Sequence, residues 1–195
     1  MDDNLHFATV DEFTAWLEAN HRTADEVWVA LPKKGTEVPS VTRSQALDVA
    51  LCYGWIDGKA FSGNAPDGWW AQRFSPRRAR SSWSKINCAK VEKLIATGRM
   101  RPAGLEQIEL AKSDGRWAAA YAPPSTAEVP PDLRAALDAS PTAAAAFAAL
   151  SKSNSYQILL TIQKAKKAET RERRIASYVE RLEAGEPPLG PRRKP

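Results

Sequence analysis

The residues predict an α+β protein: a small, mainly antiparallel sheet with packed helices, followed by a helical C-terminal part. Three observations carry this. Residues 26–31 alternate Val27, Val29 and Leu31 with Trp28 and Ala30, the period-2 pattern of a half-buried strand that ends at Pro32. Residues 55–61 and 68–74 are two further strand-like runs around SGNAP, whose Gly63, Asn64 and Pro66 are turn formers, so a hairpin is expected. Beyond the run APPSTAEVPP the chain holds only helix-like segments with proline or polar punctuation.

Each element has a local cause. Thr9 and Glu12 stand in capping-box spacing ahead of Val10, Phe13, Trp16 and Leu17, which share a helix face. After the loop KKGTEVPS, Thr42 and Gln45 repeat the box. Leu47, Ala50 and Leu51 supply a buried stripe there, and Gly54 is placed for a left-handed stop. Ser81 or Ser82 is expected to cap a helix in which Trp83, Cys88, Val91, Leu94 and Ile95 share a face opposite Lys85 and Lys93. Pro102 opens another helix with Leu105, Ile108 and Ala111, and Gly115 closes it.

The expected organisation is an α+β part over 1–121, a Pro-rich linker over 122–131, a helical part over 132–185 and a disordered tail over 186–195. The alanine run 143–149 reads as close helix packing.

A hydrophobic fraction of 43% in 195 residues is enough for a core. No stretch approaches the roughly 20 apolar residues of a membrane helix. The start MDDNLHFATVDEF is acidic and lacks the basic and apolar pattern of a secretory signal, so a cytoplasmic location is expected. Cys52 and Cys88 each fall within a helical segment among apolar neighbours, the setting of reduced packing thiols.

The charge of +5 is concentrated rather than spread. Between residues 69 and 101, Arg73, Arg77, Arg78, Arg80, Lys85, Lys90, Lys93, Arg99 and Arg101 face Glu92 as the one carboxylate, so an anion-attracting surface is expected. The segment SPRRARSSW sets arginines and hydroxyls ahead of a helix start, where free backbone N–H groups also favour anions. Guanidinium groups grip phosphate or carboxylate in a two-pronged way. The expected ligand-binding set is therefore Arg73, Arg77, Arg78, Arg80, Ser81, Ser82, Trp83 and Lys85, with a small anion as ligand. Replacing Arg77 and Arg78 together by Ala is expected to weaken that ligand and leave folding intact. In the competing structural reading, these arginines pair with carboxylates and pack over tryptophans.

Other chemistries leave weaker marks. Trp69, Trp70, Phe74 and Trp83 interleave with arginines, the composition of a surface that stacks bases, although no nucleic-acid-binding motif accompanies them. Ser82 and Lys85 fit S-x-x-K, but no K-T-G partner exists. His6 and His21 lie outside any zinc-site pattern and no glycine-rich nucleotide loop occurs, so neither metal nor cofactor is expected. The residual catalytic candidate is Asp57 in GWIDG, within reach of Arg73, as the acid or base of a small-molecule enzyme.

The stretches ALDVALCYGWIDG, QRFSPRRARSSWSKINCAKVEKLIATGRMRPAG and NSYQILLTIQKAKKAETRERRIASYVERL resemble the YdeI/OmpD-associated, or bacteriocin-protection, family of bacteria over roughly residues 5–185. The resemblance implies a link to outer-membrane porin association and to resistance against bacteriocins or cationic peptides. It implies no agreed catalytic residue set. The absence of an export signal sets the chain apart from a periplasmic porin partner. A non-catalytic protection factor with an anion-binding basic segment is the reading these observations favour.

Overall fold

A computed structural model describes residues 4–61, 67–165 and 167–187. The chain divides into two compact units, residues 1–120 and 121–195. The SGNAP turn and the tail from 188 onward lie outside the described residues.

The first unit is an α+β arrangement on a four-stranded mixed sheet of order β1-β2-β4-β3. Strand β1 (Asn4–His6) pairs in parallel with β2 (Val27–Pro32). Strand β4 (Trp69–Pro76) lies antiparallel to both β2 and β3 (Trp55–Phe61), so the hairpin expected from the sequence forms. The short β1 carries no alternation of its own to announce it. A register shift between Asp57 and Ala60 interrupts the hairpin ladder, and Gln72 fills the gap by donating to the Gly58 carbonyl at 2.9 Å.

Val27, Val29 and Leu31 point into the core, as their alternation predicts. Helices α1 (Val10–Asn20) and α2 (Arg43–Cys52) supply Phe13, Leu17, Ala46 and Leu51 to the same cluster, joined by Phe74 and Trp55. Thr42 and Gln45 form the full reciprocal box at α2. At α1, Thr9 accepts from the Glu12 amide, while the Glu12 carboxylate accepts from Ala8 one residue upstream.

Helix α3 (Lys85–Ala96) begins later than expected. Its cap is Ser84, which accepts from the Asn87 amide at 3.1 Å, and neither Ser81 nor Ser82 serves. Trp83 consequently stands before the helix and not on its face. Helix α4 (Pro102–Ser113) is opened by its proline, and Gly115 adopts φ +79° after it. Gly104 in its first turn is required sterically, since a Cβ there would lie 2.3 Å from the Cys52 carbonyl oxygen. Cys52 and Cys88 are buried free thiols whose pKa values burial pushes up.

The second unit is helical: α5 (Pro131–Asp138), α6 (Pro141–Ala148), α7 (Lys152–Gln163) and α8 (Ala168–Glu183). Leu133, Leu137, Ala143, Ile158, Ile162, Ile175 and Leu182 close its separate core. The alanines of α6 contribute Ala143 as a fully buried contact, in keeping with close packing.

Candidate functional site

The arginine-rich segment lies where β4 runs out. The Arg77 amide donates to the Gly54 carbonyl at 3.0 Å, tying the start of the segment to the end of α2. Gly54 has φ +75°, and a Cβ there would lie 2.9 Å from the Ala103 oxygen, so a glycine is needed. The Arg77 side chain then folds inward over Trp83, its guanidinium carbon 3.8 Å from the ring centroid. Its Nη2 donates to the Ser82 carbonyl at 2.9 Å. Arg77 is 6% exposed and Trp83 2%. A cation over an indole face is attracted by the ring quadrupole, more so when desolvated.

Between these two residues the chain makes a tight turn. The Ser81 amide donates to the Arg78 carbonyl at 2.9 Å, and the Arg78 amide donates to Ser81 Oγ at 3.1 Å. Arg116 holds the turn from outside by donating to the Ser81 carbonyl at 3.0 Å while paired with Asp114 at 2.6 Å. On this frame Arg78, Arg80, Ser82 and Lys85 are exposed. No ion pair forms at Arg78, Arg80 or Lys85 among the described residues.

Arg73 stands apart from this group. It lies on β4 and donates to Glu26 at 2.6 Å, and that hydrogen bond holds the Glu26 carboxyl below its usual range. Asp57 pairs with Arg43 at 2.5 Å, the first residue of α2, which also donates to Gln72 at 3.2 Å. The structure therefore gives Asp57 and Arg73 different partners and does not join them as one acid–base pair. Glu26 and Arg43, the two partners, carry no motif that marks them in the sequence.

The aromatic residues also separate. Phe74 and Trp83 are core residues, Trp70 packs against the core, and Trp69 meets His6 edge-on at 5.0 Å across the other sheet face. They do not form one stacking surface. Behind Arg77 lies an open cleft of about 460 Å³ lined by His21, Arg22, Tyr53, Pro76, Glu106 and Gln107 among others. Among the described residues no group of three or more His, Cys, Asp or Glu is placed to hold a metal ion. No helix there is long and apolar enough to cross a membrane.

Comparison with known proteins divides the chain much as the structure does. No curated protein and no solved structure matches it. Residues 5–107, more than half the chain and including the whole arginine-rich loop, match the family model described as a domain of unknown function (DUF8412). Residues 126–185, which contain α5 to α8, match the model described as bacteriocin-protection, YdeI or OmpD-associated. The C-terminal helices match the bacteriocin-protection, YdeI or OmpD-associated model over 126–185, and through its sheet-bearing unit the chain belongs to the DUF8412 family.

Proposed function

We propose that the chain is a non-catalytic, cytoplasmic protection factor of the kind its C-terminal family description names, and that its first unit binds a small anion on the loop 78–85. One observation supports this above the others. The stack of Arg77 on Trp83 and the turn at 78–81 hold the loop in place while Arg78, Arg80 and Lys85 stay exposed without carboxylate partners among the described residues. A preorganised cluster of cations loses little freedom on binding an anion, which favours phosphate or carboxylate over bulk counterions. Ser82 stands among these cations with an exposed hydroxyl. Within the expected set, Arg77, Trp83 and Ser81 frame the loop, and Arg73 is bound to Glu26 away from it.

Calorimetric titration with inorganic phosphate, sulfate and a short single-stranded oligonucleotide, at low and high salt, tests this reading. A small anion is expected to bind in both salts and to lose its binding when Arg78, Arg80 and Lys85 are replaced together by Ala, with the melting temperature unchanged. Equal binding by the triple variant would remove the loop from the reading. Binding of every polyanion that disappears in high salt would mean a nonspecific basic surface.

A further inference from the structure

Four chain segments meet at the cleft behind Arg77, and hydrogen bonds fix how they meet. Trp55 Nε1 donates to the His21 carbonyl at 3.2 Å, which ties the exit of α1 to the start of β3. The Arg101 amide donates to the Cys52 carbonyl at 3.1 Å, which sets the start of α4 against the end of α2. The bond from the Arg77 amide to Gly54 adds the end of β4. Gly54, whose Cβ would lie 2.9 Å from Gln107 Cγ, leaves that glutamine its place in the lining. The resulting cleft of about 460 Å³ lies within the first unit and falls in the size range of small-molecule sites.

The cleft carries charge of both signs. Arg22, in the turn after α1, and Glu106, on α4, both line it and both are exposed. Among the described residues neither makes an ion pair, with the other or with a third group. Two opposite charges that share a cleft without touching leave room for a ligand to bridge them. Arg77 adds a second positive charge, held in position by its stack on Trp83 and its bond to the Ser82 carbonyl. His21 is fixed beside it, with Nδ1 donating to the Leu17 carbonyl at 2.8 Å and the ring 5.1 Å from that of Tyr53.

We propose that this cleft binds a zwitterion of the α-amino-acid class, with its carboxylate on Arg22 and its ammonium on Glu106. A guanidinium takes a carboxylate through two parallel donors, and an ammonium donates both to a carboxylate and to the amide oxygen of Gln107. The charge of Arg77 disfavours an amine that lacks a carboxylate, and Glu106 disfavours a phosphate or any other pure anion. Arg78, Arg80 and Lys85 are not in this lining, so the cleft and the anion loop stand or fall separately.

Saturation-transfer NMR of the full chain with a mixture of the standard amino acids selects the probe, and calorimetric titration gives its affinity. At least one amino acid is expected to bind with a Kd of about 1 mM or tighter. Its amide, which lacks the carboxylate, and its deaminated acid, which lacks the ammonium, are each expected to bind about tenfold more weakly. Glu106→Gln is expected to weaken the amino acid about tenfold and to leave the deaminated acid unchanged. Arg22→Ala is expected to weaken the amino acid by a similar factor and to leave the amide unchanged. Absence of binding by every amino acid at that level, equal affinity of the deaminated acid, or unchanged affinity in both variants would overturn the proposal. So would displacement of the amino acid by inorganic phosphate, which would put the ligand on the basic loop. If either variant fails to fold, chemical-shift changes in the unsubstituted chain decide the matter. Changes centred on His21, Tyr53 and Gln107 support the cleft, and changes centred elsewhere overturn it.

Discussion

The basic loop of the first unit and the α5–α8 contact of the second place an arginine in two different settings. In the loop, one arginine is drawn inward over a tryptophan and its neighbours remain in water. Between α5 and α8, Arg171 is instead paired with a carboxylate, Asp132, while Leu133 and Ile175 are buried. The difference shows that a run of like residues is not a unit of function. Arg77 and Arg78 are adjacent in sequence, yet one is part of the core and the other is surface.

That contrast is open to direct attack. The largest effect is expected at Trp83: Trp83→Ala removes a fully buried ring that packs against Trp117 as well as Arg77, and is expected to cost about 3–5 kcal/mol in urea unfolding. Arg77→Ala is expected to cost about 2–4 kcal/mol through the lost stack and the lost hydrogen bond to Ser82. Arg78→Ala is expected to stay within about 0.5 kcal/mol of the parent. The paired Arg77 and Arg78 substitution that the basic run suggests as harmless is thus expected to damage the fold. Tryptophan fluorescence is a suitable reader, because all seven tryptophans precede residue 121. Similar losses for Arg77→Ala and Arg78→Ala would erase the distinction between framework and surface.

A smaller loss, about 1–3 kcal/mol, is expected for Gly104→Ala. The new Cβ meets the Cys52 and Leu51 carbonyl oxygens at 2.3 and 2.8 Å, which outweighs the gain in helix propensity. A stabilised variant in the same urea assay would refute the close approach of α4 to α2.

The smallest effect lies in the pair of Arg171 with Asp132 and depends on pH. The hydrogen bond from Arg171 holds the Asp132 carboxyl below its usual range, so its stabilisation is present above the unfolded value of about 3.9. It is lost as pH falls through the lower folded value. Asp132→Asn is therefore expected to lower the urea midpoint slightly at pH 7, read by far-UV circular dichroism, and to leave it near the parent's at strongly acid pH. The same difference at both pH values would mean that the pair's charge contributes nothing.

Local signals were legible where a residue needs only its near neighbours. The Thr42 and Gln45 box, the 27–31 alternation and the proline start of α4 all act within one turn or one strand, whereas Pro131, expected in the linker, is the first residue of α5. The cap of α3 was misread because four serines stand at 75, 81, 82 and 84. Capping geometry at Ser84 is decided once Trp83 is pulled into the core ahead of it. The candidate site was legible as a basic segment but not as a divided one.

By itself the sequence determined the α+β class, the starts of α1, α2 and α4, the hairpin and the basic stretch, because each follows from periodicity, composition or caps a few residues apart. Tertiary structure alone decided that Arg43 meets Asp57 across 14 positions, that Glu26 meets Arg73 across 47 and that Asp132 meets Arg171 across 39. It also decided which arginine enters the core. Such pairings depend on where the sheet register and helix packing bring distant backbone together. Attraction between opposite charges does not select among many equally charged candidates until the fold has placed them.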